Sequence, residues 1–415
     1  MRTGGRAANG RSTIYQGSDG RWHGRVSMGV GPDGRQDRRH VTGRTQSAVA
    51  SKVKTLEQAR STGTVAATGR TTLGDYMAEW IARKEKLRAV RPLTLSGYRT
   101  DQRHVVAAIG KVRLDRLGPA NVEHLWAYLL ERGLRTAHCR RTLSAALNDA
   151  VRRGLIPRNP VKAADSPRDE HREIEPYTLH EMAAILEACR GTRNAARWTV
   201  ALALGLRQGE VLGLAWDDVD LGAEPTMTIR RQLQRVPWQH GCPDPERCLN
   251  QAGLPAKRAA DCPQRWGGGL KVSEPKSDAG RRTLALPATL AAELHVHTRE
   301  QKAERLASEM WETGPHGGWV FANPVGGPTD PRADAHAFKA LCAAAGVPAK
   351  RLHDLRHSAA TMMLASDLDL RTAGQVLGHS QIALTARYSH ILADRRSVAA
   401  ARIESALFGR VRPGP

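Results

Sequence analysis

The chain opens on short alternating runs. Ser12–Gln16, Trp22–Met28 and Arg38–Val41 alternate in the manner of strands, separated by the glycine-bearing turns Gly17–Gly20 and Gly31–Gly34. A helical stretch over Gln46–Arg60 and a small, polar linker, Ser61–Gly69, complete a unit with room for little core. From Thr71 the period changes. Leu73, Tyr76, Met77, Trp80 and Ile81 recur at i, i+3, i+4, i+7 and i+8, the mark of one buried helix face. Further helices are expected over Thr94–Ala108, Pro119–Arg132 and Thr136–Arg153, with Gly110, Gly118 and Gly133 as stop signals. Asp165–Glu175 is charged and irregular, and reads as a second linker. Helices are then expected over Tyr177–Ala188 and Ala195–Leu204. Strands and hairpins follow over roughly Met227–Leu286, with one strand over Met227–Val236, and helices return from Ala288. The pattern predicts three domains: 1–65, small and α+β; 71–165, all helical; and 172–405, mainly α with a small antiparallel sheet inserted.

Composition narrows the function. Of 415 residues, 40% are hydrophobic and 25% charged, ordinary for a globular protein. No apolar run approaches the roughly 18 residues of a membrane span, and residues 1–10 lack the apolar stretch of a secretory signal. A cytoplasmic protein is expected. The net charge of +22 is the first functional clue, because so large an excess repels itself until a polyanion such as a phosphate backbone neutralises it. Arg21, Arg25, Arg35, Arg38, Arg39 and Arg44 crowd the first segment, where a sheet face could lie against DNA.

The chemistry gathers in the third segment. Arg207-Gln208-Gly209-Glu210 follows the apolar run Ala203-Leu204-Gly205-Leu206, so a bend could present Arg207 to a ligand. His353-Asp354-Leu355-Arg356-His357 sets His353 and Arg356 three apart, on one side of a turn or helix. Leu377-Gly378-His379-Ser380 comes next, with Tyr388 nine residues beyond His379. Two arginines can fork onto one phosphate, histidines can donate or exchange protons near neutral pH, and a tyrosine hydroxyl becomes a nucleophile once its proton has a destination. No acidic cluster of magnesium-ligand type accompanies the set, which speaks against a two-metal nuclease. Taken singly, Arg207 could merely cap a helix beside Glu210, His353 could be a satisfied polar group, and Tyr388 a half-buried aromatic. Together they read as a metal-free phosphodiester transferase.

In this combination the chain resembles the tyrosine recombinases, the family of phage and plasmid integrases with the Xer proteins as relatives. The likeness covers about 172–400, and the three-part layout extends it to nearly the whole chain. It implies an N-terminal domain that binds arm-type sites, a SAM-like helical core-binding domain and a catalytic domain. It further implies catalytic roles for Arg207, Lys276, His353, Arg356, His379 and Tyr388, with Glu210 orienting the site and no cofactor for catalysis. Lys276 comes from the matching hairpin Glu274–Thr283, with Lys271 as a competitor. The implied reaction is attack by Tyr388 on DNA to give a 3′-phosphotyrosine and a free 5′-hydroxyl. Double-stranded attachment sites and a homotetramer on DNA are the implied partners; an excisionase or host DNA-bending protein is a further one the resemblance allows. A final amphipathic helix over 395–407 would pack on a neighbour or on its own domain. A Xer-like resolvase, a type IB topoisomerase and an inactive DNA-binding regulator stand as alternatives.

One segment falls outside this pattern. Between Val236 and the lysine hairpin lie His240, Cys242, Cys248 and Cys262, in a stretch too polar and proline-rich to build a core. Three cysteines and a histidine suit a tetrahedral structural zinc, with free loop thiols as the rival reading. Similar cysteine-bearing insertions are what the resemblance to actinomycete integrases implies. Cys139, Cys189 and Cys342 sit among apolar helical residues and are expected in the core.

Overall fold

The structure, a computed structural model, describes residues 12–30, 36–61, 71–168, 175–275, 278–366 and 368–378. Lys276, His379, Tyr388 and the expected helix over 395–407 lie outside the described residues. The chain divides into two compact units, Met1–His171 and Arg172–Pro415.

The first unit begins with strands β1 (Thr13–Gln16), β2 (Trp22–Val30) and β3 (Gln36–Gly43), an antiparallel sheet in the order β1-β2-β3, followed by helix α1 (Gln46–Ser61). The period-2 pattern sends Val26 toward α1, where it meets Val49, Val53 and Leu56 in a small core. The opposite face collects Tyr15, His23, Arg25 and His40, as the register Tyr15↔His23 and Arg25↔His40 requires. The Tyr15, His23 and His40 rings stack in series with centroids 5.4 and 5.0 Å apart, and Arg25 lies over Tyr15. Four helices follow: α2 (Leu73–Lys86), α3 (Pro92–Ile109), α4 (Pro119–Leu130) and α5 (Thr136–Arg152). Thr72 caps α2 through Asp75, and the face expected from the helical period is the one buried, in a core with Leu125, Trp126, Leu143 and Leu147. Asp149 on α5 ties α2 to it, accepting from the Tyr76 hydroxyl at 3.0 Å and from Arg83 at 3.2 Å.

The second unit contains helices α6 (Leu179–Cys189), α7 (Ala196–Leu204) and α8 (Gln208–Leu212), then strands β4 (Val219–Asp220), β5 (Thr226–Ile229), β6 (Gln232–Val236), β7 (Gly269–Ser273) and β8 (Arg282–Ala285). Helices α9 (Ala288–Ala307), α10 (Pro331–Ala344), α11 (Asp354–Ala365) and α12 (Leu370–Leu377) complete the described part. Tyr177 precedes α6 rather than starting it. A capping box between Thr178 and Glu181 opens the helix, while the Tyr177 ring is buried, its hydroxyl donating to Pro348 O at 3.1 Å.

The strand expected over Met227–Val236 is in fact two. It breaks at Arg230 and Arg231, both of which reach the buried carboxylate of Asp218, at 3.4 and 2.6 Å. Two neighbouring side chains drawn to one acceptor cannot keep the alternation of a strand. The single expected sheet is therefore divided: β4-β5-β8 form one antiparallel sheet, and β6 pairs with β7 in another. Cys139, Cys189 and Cys342 are buried, as their apolar neighbours led us to expect.

Candidate active site

The site is built where α7 stops. Gly205 ends that helix at φ +60°, and a Cβ there would lie 2.6 Å from Leu377 Cδ2 and 3.1 Å from Ala359 Cβ. Both the left-handed turn and the close approach of α11 and α12 demand glycine. The chain then buries Leu206 and places Arg207 at the N-cap of α8. Gln208 pins the next position by donating to Pro331 O at 2.7 Å and to Asp334 Oδ2 at 2.8 Å. Asp334 is itself held by Arg197 in a buried two-pronged pair of 2.5 and 2.6 Å. Arg207 thus stands on a backbone fixed from both sides.

Around it three arginines converge on the end of α12. Arg207 Nη2 donates to Gly378 O at 3.4 Å, Arg356 Nη2 donates to Leu377 O, and Arg282 Nε donates to Val376 O at 2.6 Å. Arg356 also donates through Nη1 to Gly205 O at 2.8 Å, which locks the start of α11 to the end of α7. Glu210 sits among the cations. Its carboxylate accepts from Arg207 Nη1 at 2.6 Å, from the Arg207 backbone at 3.1 Å and from Arg282 Nη2 at 3.1 Å. Burial alone would push the Glu210 carboxyl up, but the charges of Arg282 and Arg207 outweigh it and hold it below the usual range.

His353 stands just before α11, its ring edge-on to His357 at 5.0 Å between centroids. Desolvation, and then the charges of His357, Arg356 and Arg207, push its pKa down to about 4. Because the residue retains exposed surface, the cationic neighbours are the sturdier of the two causes. Its imidazole is therefore neutral at pH 7 in the open site. Such an arrangement can grip a phosphate with arginines and accept a proton on His353, with the positive charge oriented before any ligand arrives.

Of the residues singled out from the sequence, Arg207, Glu210, His353 and Arg356 are brought together, and Gly378 ends the described chain immediately before His379. Lys271, the competing lysine, is exposed on β7. Arg282 was not singled out. Its signal was the strand alternation: Arg282 and Leu284 share a face of β8, and Leu284 is buried, so an arginine on that face needs an internal partner.

Away from this cradle, the β6–β7 connection brings His240, Cys242, Cys248 and Cys262 together. Their ligand atoms lie within 4.8 Å of one another, with Cys248 and Cys262 buried. The described apolar cluster of this excursion is Cys248, Ala256 and Cys262 with Cys242 against it, too little to hold a loop by burial alone. Ligand atoms on a tetrahedral zinc with sulfur bonds of about 2.3 Å are spaced by about 3.8 Å, so the cluster could hold a metal with small adjustments.

Among proteins of known kind, the Phage integrase family profile matches residues 270–395. An integrase of Saccharopolyspora erythraea is 39% identical, the match covering 97% of this chain and 98% of the relative. A XerC-like tyrosine recombinase of Caldanaerobacter subterraneus subsp. tengcongensis is 24% identical over 91% and 95% of the two chains. The fold is shared with the Tn1549 transposon integrase solved with circular intermediate DNA (TM-score 0.60, 18% identity, 77% of this chain and 94% of that one). It is shared also with lambda integrase solved as a tetramer on a Holliday junction (TM-score 0.52, 16% identity, 90% and 94%). With a relative so similar over nearly its whole length, this chain belongs to the phage integrase family of tyrosine site-specific recombinases.

Proposed function

We propose that the chain recombines an element's attachment site with a second DNA site, for integration or excision, through a covalent 3′-phosphotyrosine. The observation that carries this reading is the convergence of Arg207 and Arg356 on the carbonyls that end α12, directly before His379, with His353 at the start of the helix that bears Arg356. Arg207, Arg356 and His379 hold the scissile phosphate and stabilise the charge that builds on it. His353 takes the proton of Tyr388, whose oxygen attacks phosphorus. Lys276 delivers a proton to the departing 5′-oxygen. One phosphodiester is exchanged for one phosphotyrosine ester, so the bond energy is kept and no nucleotide cofactor is consumed. Attack by the 5′-hydroxyl of the partner strand then reverses the step, and two rounds make and resolve a four-way junction. Four protomers are required for the four strands.

The remaining parts follow the same reading. The face bearing Tyr15, His23, Arg25 and His40 is aromatic and cationic, suited to a DNA groove, and we assign 1–65 to arm-type sites. The helical segment 71–165 and the catalytic segment 172–405 would clamp the core site. His240, Cys242, Cys248 and Cys262 would hold a structural zinc, which supplies the cross-links that the insertion's small core lacks.

The test is covalent trapping on a nicked attachment-site duplex, without metal or ATP, followed by peptide mapping. An adduct on Tyr388, lost in Tyr388→Phe with binding retained, is the expected result. Tight binding with no adduct would leave a DNA-binding regulator instead.

A further inference from the structure

An α-helix leaves its last carbonyls without intrahelical donors, and they are usually satisfied by water or by the chain that follows. At the end of α12 three successive carbonyls, those of Val376, Leu377 and Gly378, are taken by arginines from three different elements: β8, α11 and the N-cap of α8. The next residue in the chain is His379. Two of these arginines already have a place in the proposed chemistry. The third, Arg282, does not.

Resting on the recombinase reading, we propose that Arg282 is a positioning residue for strand cleavage. It holds the end of α12, and so the approach to His379, in register with the Arg207–Glu210 pair. Its guanidinium makes three connections at once. Nε donates to Val376 O at 2.6 Å, Nη1 to Gly280 O at 3.1 Å, and Nη2 to Glu210 Oε2 at 3.1 Å. One planar group therefore ties the end of α12, the end of the lysine hairpin and α8 together. A lysine ammonium, a single point on a flexible stem, lacks the fork that reaches three separated acceptors.

The turn is also shaped around this side chain. Gly378 is left-handed at φ +66°, and a Cβ on it would lie 2.7 Å from Arg282 Nη1 and 2.9 Å from Ala279 O. The Arg282 side chain is 8% exposed, against 39% for Arg207, so it stands behind the cradle and acts through it. Glu210 couples the two arginines, since one carboxylate is shared between them. Removing Arg282 frees the Val376 carbonyl and leaves Glu210 to Arg207 alone, which draws Arg207 back toward its partner.

The experiment compares full-length wild type, Arg282→Ala and Arg282→Lys in adduct formation on the nicked duplex. Each is assayed with a normal scissile phosphate and with an uncharged methylphosphonate there. Both variants should bind the duplex within about twofold of wild type, because the Arg282 side chain is buried behind the cradle, 8% exposed, and would offer DNA little surface. The first-order rate of adduct formation should fall about 100-fold on the phosphate, the scale of a small misplacement of catalytic groups. On the methylphosphonate the deficit should shrink, because misplaced positive charge matters less when the charge it neutralises is gone. A wild-type rate in Arg282→Lys, or equal deficits on both substrates, would reduce Arg282 to a structural residue and overturn the proposal. If Arg282→Ala proves unfolded by circular dichroism, Arg282→Lys decides. If wild type itself forms no adduct, the recombinase reading fails, and the positioning role with it.

Discussion

Replacing Glu210 by glutamine keeps the shape of the side chain and removes the one carboxylate between Arg207 and Arg282. The amide offers a single oxygen and turns N–H hydrogens toward a guanidinium. Breaking a buried ion pair by removing one partner costs about 3–5 kcal/mol, mostly for the charge left behind. The Arg207 share must be discounted: that side chain is 39% exposed, and water replaces much of what it loses, leaving about 0–1 kcal/mol. The Arg282 share stands, because that pair is 8% and 2% exposed. The variant should therefore be destabilised by about 3–6 kcal/mol at pH 7. With a urea slope of about 2–3 kcal/mol/M for a unit of this size, the midpoint should drop by about 1–3 M. The assay is urea unfolding followed by the fluorescence of the second unit's Trp198, Trp216 and Trp319 and by far-ultraviolet circular dichroism. A second signature is pH. The folded carboxyl titrates below its unfolded value of about 4.3, so its contribution is complete above that value and is lost as pH falls through the folded pKa. The gap between wild type and variant should thus hold from pH 7 down to about 4.3 and narrow only as pH falls further, through the folded pKa. A midpoint shift under about 0.3 M at pH 7, or a gap that already closes above about pH 5 or widens as pH falls below about 4, would refute the account of Glu210 as the counter-charge.

Other consequences are equally open to test. Gly205→Ala forces a side chain into the left-handed turn and against Leu377, which should cost about 2–5 kcal/mol from backbone strain and overpacking together; a urea midpoint within error of wild type would show that the turn relaxes freely. In DNA-free protein the His353 ring proton, assigned by its loss in His353→Gln, should titrate far below the ordinary 6.5, near pH 4. Since the folded pKa is the lower one, any stability linked to this ring is full above about pH 6.5 and declines as pH falls toward 4. A midpoint at 6.5 or higher would remove the cationic environment claimed for it. For the insertion, purified protein in metal-free buffer should carry about one equivalent of zinc, and stripping it should open 237–268 to proteases. Active protein without metal would leave four uncoordinated side chains and sink the assignment.

Much of this was legible before any coordinates. The helical period of Leu73, Tyr76, Met77, Trp80 and Ile81 named the buried face of α2, because a 3.6-residue repeat has one solution in water. The stop at Gly110 is local and was read locally, whereas Gly118, expected as a stop, instead opens α4 as its N-cap. The motifs around Arg207 and His353 were legible because phosphate chemistry restricts the residue types that can serve. The break at Arg230 and Arg231 was not, since it depends on Asp218, a partner that the strand pattern alone does not reveal. Arg282 was hidden for the same reason. Its role is defined by carbonyls nearly a hundred residues away, and a backbone acceptor leaves no mark in a side-chain motif. The four possible metal ligands were countable in the sequence, yet only folding shows that the β6–β7 excursion returns Cys262 to Cys242 and Cys248.

A cradle for phosphate poses a problem before the phosphate comes, for cations held close repel one another. Here the repulsion is met from within. Glu210 neutralises from below, and the carbonyls of Val376, Leu377 and Gly378 occupy the donors of Arg282, Arg356 and Arg207 from the side. The three guanidiniums are graded in exposure, Arg207 at 39%, Arg282 at 8% and the whole Arg356 residue at 3%. Only the first is open enough to exchange partners freely, and its link to Gly378 O, at 3.4 Å, is the longest of the three. An arriving phosphate oxygen can displace that weak bond first, while Leu377 O and Gly205 O keep Arg356 oriented for the same phosphate. The donors behind it are oriented in advance, so little reorganisation is needed when charge builds on the phosphate. The same economy explains why the carboxylate must be buried. An exposed glutamate would meet the DNA and repel it, whereas one sealed beneath two arginines stabilises the cations while presenting only their positive face.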